Sequence, residues 1–136
     1  MSMFAMLQVH NLIPNENEIE RITEFIIKNY FHKDKEKIRE VVKQHISYGT
    51  LAVEYDKADI VAVARWNINN TTVHILDLII RKDYQRKGLI KKMLVRGLKV
   101  WKQLEYISFG RSKYNGRERM YSLEKFLGGQ YGRNNH

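Results

Sequence analysis

Residues 76–104, LDLIIRKDYQRKGLIKKMLVRGLKVWKQL, constrain the fold of this chain more than any other stretch. The apolar, β-branched run at 75–80 reads as a strand, and a charged turn with one glycine, Gly88, follows it. Ile90, Met93, Leu94, Leu98 and Trp101 then recur at intervals of three and four, which lays them on one face of a helix. A strand, a short turn holding Gly and an amphipathic helix bring the first N–H groups of the helix, which have no partners inside it, to the end of a sheet. Those groups and the positive end of the helix dipole suit an anion, phosphate in particular. Arg86, Lys87 and Lys91 surround the same point, and cations at a helix start are unfavourable unless an anion joins them.

The rest of the chain supplies a frame for this stretch. Residues 4–9 read as a strand and 11–17, with the only proline, as a loop. Ile19, Ile22, Phe25, Ile26 and Tyr30 keep helical spacing, with Glu18 and Glu20 in the first turn. Asp34 is placed to cap a second helix, with Ile38, Val41, Val42 and Ile46 on its apolar face and Gly49 at its end. His32 and His45, on this helical pair, read as surface residues. Strands at 50–55 and 60–66 make a hairpin around the polar turn 56–59, and NINNT at 67–71 turns the chain into a third strand at 72–80. After the helix, taken as 90–104, come a strand at 106–109 and a basic loop at 110–116. A last helix is expected at 117–127, with Met120, Leu123 and Phe126 or Leu127 turned inward.

The 136 residues suffice for one domain, 1–136, with a real core. Without cysteine there can be no disulfide framework, thiolate metal site or cysteine nucleophile, and no metal site is expected. No apolar run is long enough to span a bilayer, and MSMFAMLQVHN lacks a basic-then-apolar leader, so a soluble cytoplasmic protein is expected. The net charge of +9 suits polyanions, nucleic acid among them, or a small anionic ligand.

DYQRKGLI, behind LDLII, resembles the acyl-CoA-binding motif of the GNAT N-acetyltransferase superfamily. Gln85, Gly88 and Leu89 fall on the family pattern, whereas Lys82 stands where many members have Pro and Ile90 where most have Gly or Ala. The order of elements over residues 4–129 is also that of the family. The resemblance implies an α/β (α+β) fold of the GNAT acyltransferase type, a mixed and mostly antiparallel sheet flanked by helices. The family's C-terminal strands would be short or missing here, so that either the sheet is truncated or a partner chain, as in a homodimer, completes it.

By the same resemblance, Gln85, Arg86, Lys87, Gly88, Leu89 and Ile90 would hold the pyrophosphate of acetyl-CoA, with Arg86, Lys87 and Lys91 adding charge-assisted bonds. Leu78, Ile79 and Ile80 would offer main-chain groups to the pantetheine arm, where strands 76–80 and 106–109 splay apart, and Asn115 would be a further cofactor contact. A base for the amine proton is needed near the middle of strand 72–80, and His74 and Asp77 are the candidates. They have opposite strand parity, so without a bulge only one of them faces the cleft. The family commonly draws the acid from a Tyr of the last helix, and Tyr121 is the candidate. In the closest register Leu123 takes that place, and two helical positions differ by about 200°; water can also reprotonate the thiolate.

The expected function is transfer of acetyl from acetyl-CoA to a primary amine by direct attack, with no covalent enzyme intermediate. Two other readings stay open. One is an inactive GNAT-like module for binding or assembly. The other, weighed below both, is a basic nucleic-acid-binding domain using Arg111, Lys113, Arg117 and Arg119 around Tyr114.

Overall fold

The computed structural model describes residues 4–8, 15–30, 34–85, 88–109 and 119–128. Phe4–Gln8 form β1, Glu16–Tyr30 α1, Lys35–Tyr48 α2, Leu51–Asp56 β2, Asp59–Asn69 β3 and Thr72–Ile80 β4. A 3-10 turn, Lys82–Tyr84, leads to α3 (Leu89–Gly97), and the chain goes on through β5 (Tyr106–Phe109), β6 (Arg119–Ser122) and a single helical turn, α4 (Leu123–Phe126). The strands lie in sequence order in one six-stranded sheet. Every neighbouring pair is antiparallel except β4 and β5, which the crossover through α3 makes parallel.

Alternation along the strands gives the sheet two apolar faces, each covered by helix. On one, Ile19, Ile22 and Ile26 of α1 and Val42 and Ile46 of α2 pack on Leu51, Val53, Val63 and Ile79. On the other, Leu89, Met93 and Leu94 of α3 pack on Ala52, Ala62, Ala64, Trp66, Val73 and Ile75. The expected caps of α2 are in place. The Asp34 side chain accepts the Lys37 N–H at 3.1 Å, and Gly49, at φ 71°, donates its N–H to the carbonyls of His45 and Ile46. An αL residue at that position is what a glycine there permits.

Several expectations are corrected. The helix set at 90–104 ends at Gly97. A Cβ on Gly97 would stand 2.9 Å from Cη2 of the fully buried Trp66, so glycine lets α3 lie close to the sheet. Glycine is also a poor helix former. Beyond it the chain turns through i to i+3 bonds, Trp101 N–H to Leu98 and Leu104 N–H to Trp101; Leu98 stays buried as the apolar spacing implied, and Leu104 is buried with it. The turn set at 67–71 is shorter, since β3 runs to Asn69 and Asn70 takes the left-handed conformation at φ 55°.

The helix expected at 117–127 is instead β6 followed by α4. Pairing with β5 (Ile107 with Tyr121, Ser108 with Met120) overrides the local periodicity. Leu123 and Leu127 are buried as expected, but Met120 is 54% exposed. His45, read as a surface residue, is only 6% exposed. Among the described residues, no helix is long and apolar enough to cross a membrane.

Candidate functional site

Two features of β4 prepare a cleft at its C-terminal half. The parallel pairing with β5 ends at Ile75 and Phe109, so among the described residues the β5 side of Leu76–Ile80 carries no strand partner. The pairing with β3 slips at the same place. Asp77 lies opposite Arg65 but Ile75 lies opposite Trp66, which leaves Leu76 as a bulge. Val73 and Ile75 before the bulge and Leu78 and Ile80 after it therefore all pack toward the α3 side, while Ile79 joins the core under α1 and α2.

A cavity of about 580 Å³ opens on the α3 side of this strand end, lined by Leu78, Ile80, Tyr84, Gln85, Gly88, Leu89, Ile90, Lys91 and Phe126. Seven of these were named from the sequence; Ile79 was too, but its side chain points into the opposite core, so only its main chain is available to the cleft. Arg86, Lys87 and Asn115, also named, lie outside the described residues. Tyr84 and Phe126 were not anticipated as lining residues. Tyr84 is fixed by its hydroxyl, which donates to Asp56 at the end of β2, and by the Arg81 guanidinium 4.8 Å from its ring centroid. The bond to Asp56 raises the Tyr84 hydroxyl above its ordinary pKa.

The start of α3 forms the polar end of the cavity. Gly88 is its N-cap at φ 66° and offers no side chain, and the first turn holds no acidic residue. The first bond of the helical ladder runs from the Lys92 N–H to the Gly88 carbonyl, so the N–H groups of Leu89, Ile90 and Lys91 precede it. Lys91 lines the cavity beside them. Gln85 Nε2 donates to the Ile80 carbonyl at 3.4 Å, which ties the turn to the strand. An apolar channel that ends on the first N–H groups of a helix and a cation fits a ligand with an apolar arm and a phosphate group.

The bulge settles where the two base candidates stand relative to one another. His74 alternates with Val73 and Ile75, and Asp77 follows the slip, so both lie on the face of α1 and α2. Asp77 is held there by Arg65, whose Nε and Nη2 both reach Oδ2 at 2.7 Å. Arg65 Nη1 in turn lies 3.2 Å from Nε2 of His45. Arg65 went unnoticed in the sequence and His45 was read as a surface residue, because nothing local marks an arginine whose partners lie 12 and 20 positions away. Tyr121 stands on β6, not on a helix. It is 44% exposed and packs by its ring on Phe109 and Phe126, so it touches the cavity wall without lining the cavity.

The profile of the acetyltransferase (GNAT) family matches residues 16–123. No curated protein matches the chain by sequence. Solved structures resemble it in fold at low identity. A Pyrococcus horikoshii protein described as an acetyltransferase is 15% identical with a TM-score of 0.64, over 97% of this chain and 43% of its own. Diaminobutyrate acetyltransferase EctA of Paenibacillus lautus, in complex with L-2,4-diaminobutyric acid and coenzyme A, is 15% identical with a TM-score of 0.61, over 82% of this chain and 68% of its own. AAC(6')-Iy, in complex with a bisubstrate analogue of CoA and acetylneamine, is 11% identical with a TM-score of 0.63, over 84% of this chain and 83% of its own. The chain thus spans less than half the length of the first of these and about two thirds of the second.

Proposed function

We propose that this chain, which belongs to the acetyltransferase (GNAT) family, transfers acetyl from acetyl-CoA to a primary amine by direct attack. The observation that carries the reading is the cavity between the free edge of β4 and the uncapped start of α3. The pyrophosphate would sit on the N–H groups at 88–91, with Lys91 beside it. The pantetheine arm would run along Leu78–Ile80 over the apolar wall that Tyr84 and Phe126 complete. Related folds have been captured with coenzyme A or a CoA conjugate, which supports the same ligand here.

The thioester then lies at the edge where β4 leaves β5, and the amine approaches from the face that carries His74 and Asp77. Its nitrogen attacks the carbonyl carbon, the C–N bond forms, and the C–S bond breaks to release CoA thiolate. The amine's proton passes to Asp77, with His74 the other candidate, and water reprotonates the thiolate. Tyr121 enters as the acid only if the Phe109–Tyr121–Phe126 cluster opens toward the cleft.

Thermal denaturation with acetyl-CoA tests the site. Ligand at a hundred times its Kd stabilises the fold by about 2.7 kcal/mol, and no shift would overturn the reading. Thiol release with a panel of amines then tests turnover, and Asp77→Asn should lower kcat by about a hundredfold with acetyl-CoA binding kept. A binding module without turnover is the second reading. Ile90 favours it, since a branched side chain lines the cavity at the very start of α3; acetyl-CoA binding with no thiol release from any amine would select it.

A further inference from the structure

Four polar side chains, from α2, the turn after it, β3 and β4, form a continuous chain across the α1–α2 face of the sheet. Thr50, between α2 and β2, lies with Oγ1 2.7 Å from Nδ1 of His45. The other ring nitrogen, Nε2, lies 3.2 Å from Arg65 Nη1 on β3, and Arg65 grips Asp77 of β4. The chemistry of these groups fixes the direction of every bond. A guanidinium can only donate, so Nε2 must accept, and the His45 proton must sit on Nδ1 and be donated to Thr50. Two Arg65 N–H groups on Oδ2 leave Oδ1 as the other oxygen of Asp77.

We propose that His45 and Arg65 are positioning residues for Asp77. Neutral His45 holds the guanidinium, the guanidinium holds Oδ2, and Oδ1 is thereby presented as the atom that takes the amine proton. This rests on the reading that Asp77 is the base. Arg65 fixes the rotamer of the carboxylate through its two bonds to Oδ2. It sits next to the bulge that brings Asp77 onto this face, where a loose carboxylate would point anywhere along a half-buried edge.

The arrangement predicts its own failure in acid. A proton on Nε2 removes the acceptor and sets two cations 3.2 Å apart, so Arg65 must swing away and release Asp77. The titratable and charged groups that face His45 among the described residues are Arg65 from β3 and Asp77 from β4, with Tyr48 of its own helix edge-on at 6.1 Å between ring centroids. Burial first and Arg65 second hold the His45 pKa below its ordinary value, which keeps the acceptor intact at neutral pH.

Two measurements test this. Nitrogen-15 NMR of histidine-labelled protein, with His45 assigned through His45→Gln, should show Nε2 bare and Nδ1 protonated at neutral pH, a tautomer that Arg65→Gln releases. A protonated Nε2 in the unmodified protein would overturn the proposal. The pH profile of kcat should have an acid limb that moves to lower pH in His45→Gln, whose amide oxygen can accept from Arg65 but takes up no proton. His45→Ala should lower kcat while KM for acetyl-CoA stays. Melting temperatures of each variant separate these effects from unfolding. If Asp77→Asn is inactive but His45→Gln keeps the unmodified acid limb, the positioning role is wrong and the base stands. If Asp77→Asn is fully active, base and positioning role fall together.

Discussion

The starts of α2 and α3 face the same electrostatic problem and resolve it differently. At α2, Asp34 accepts the Lys37 N–H at 3.1 Å and Glu36 stands in the first turn, so the chain itself supplies the negative charge. At α3, Gly88 supplies no side chain, the first turn has no carboxylate, and Lys91 adds a positive charge. A side-chain cap is worth about 1 kcal/mol, and α3 forgoes it. The difference supports the proposed phosphate site at the α3 start, whereas the α2 start is capped from within the chain.

The contrast can be broken most severely at Gly88. Gly88→Asp places a carboxylate where the phosphate is expected and should weaken acetyl-CoA binding by about tenfold or more, some 1.4 kcal/mol. Calorimetric titration checks this, and an unchanged affinity would make the two helix starts equivalent. Asp34→Ala should do the reverse. It lowers stability by about 1 kcal/mol in urea unfolding and leaves acetyl-CoA affinity alone.

The smallest effect sharpens the comparison through acid. On the α1–α2 side, Lys35 and Arg39 hold the exposed Glu20 carboxyl down to about 2 from 4.5. Its contribution to stability is therefore present above about 4.5 and is lost as pH falls toward 2. On the α3 side, burial raises the carboxyl of Glu54, which is fully enclosed and 3.3 Å from Arg96. A raised carboxyl has the opposite sign: its ionised form costs stability, and the cost disappears as pH falls. Glu20→Gln should flatten the acid loss of stability and Glu54→Gln should not, as acid titrations followed by circular dichroism would reveal.

What could be read in the sequence was local. The caps of α2, the bounds of β4 and the strand–turn–helix around Gly88 depend on residues within a turn of one another, and the structure keeps them. What could not be read depended on pairing. The bulge at Leu76 exists only relative to β3, so His74 and Asp77 could not be assigned to one face from β4 alone. His45 is buried beside Arg65, which lies 20 residues on in the chain. Residues 119–122 look helical beside Leu123 and Phe126 until β5 offers them a ladder. Gly97 stops α3 early for the sake of an indole from another strand.

That indole has a spectroscopic consequence. The chain has two tryptophans, Trp66 and Trp101, and both belong to the core on the α3 side of the sheet. Intrinsic fluorescence is therefore a one-sided reporter. Release of α1 and α2 alone would leave the emission nearly constant while circular dichroism registers the lost helix. Melting curves followed by both signals would measure, as the gap between them, how independently the two layers leave the sheet.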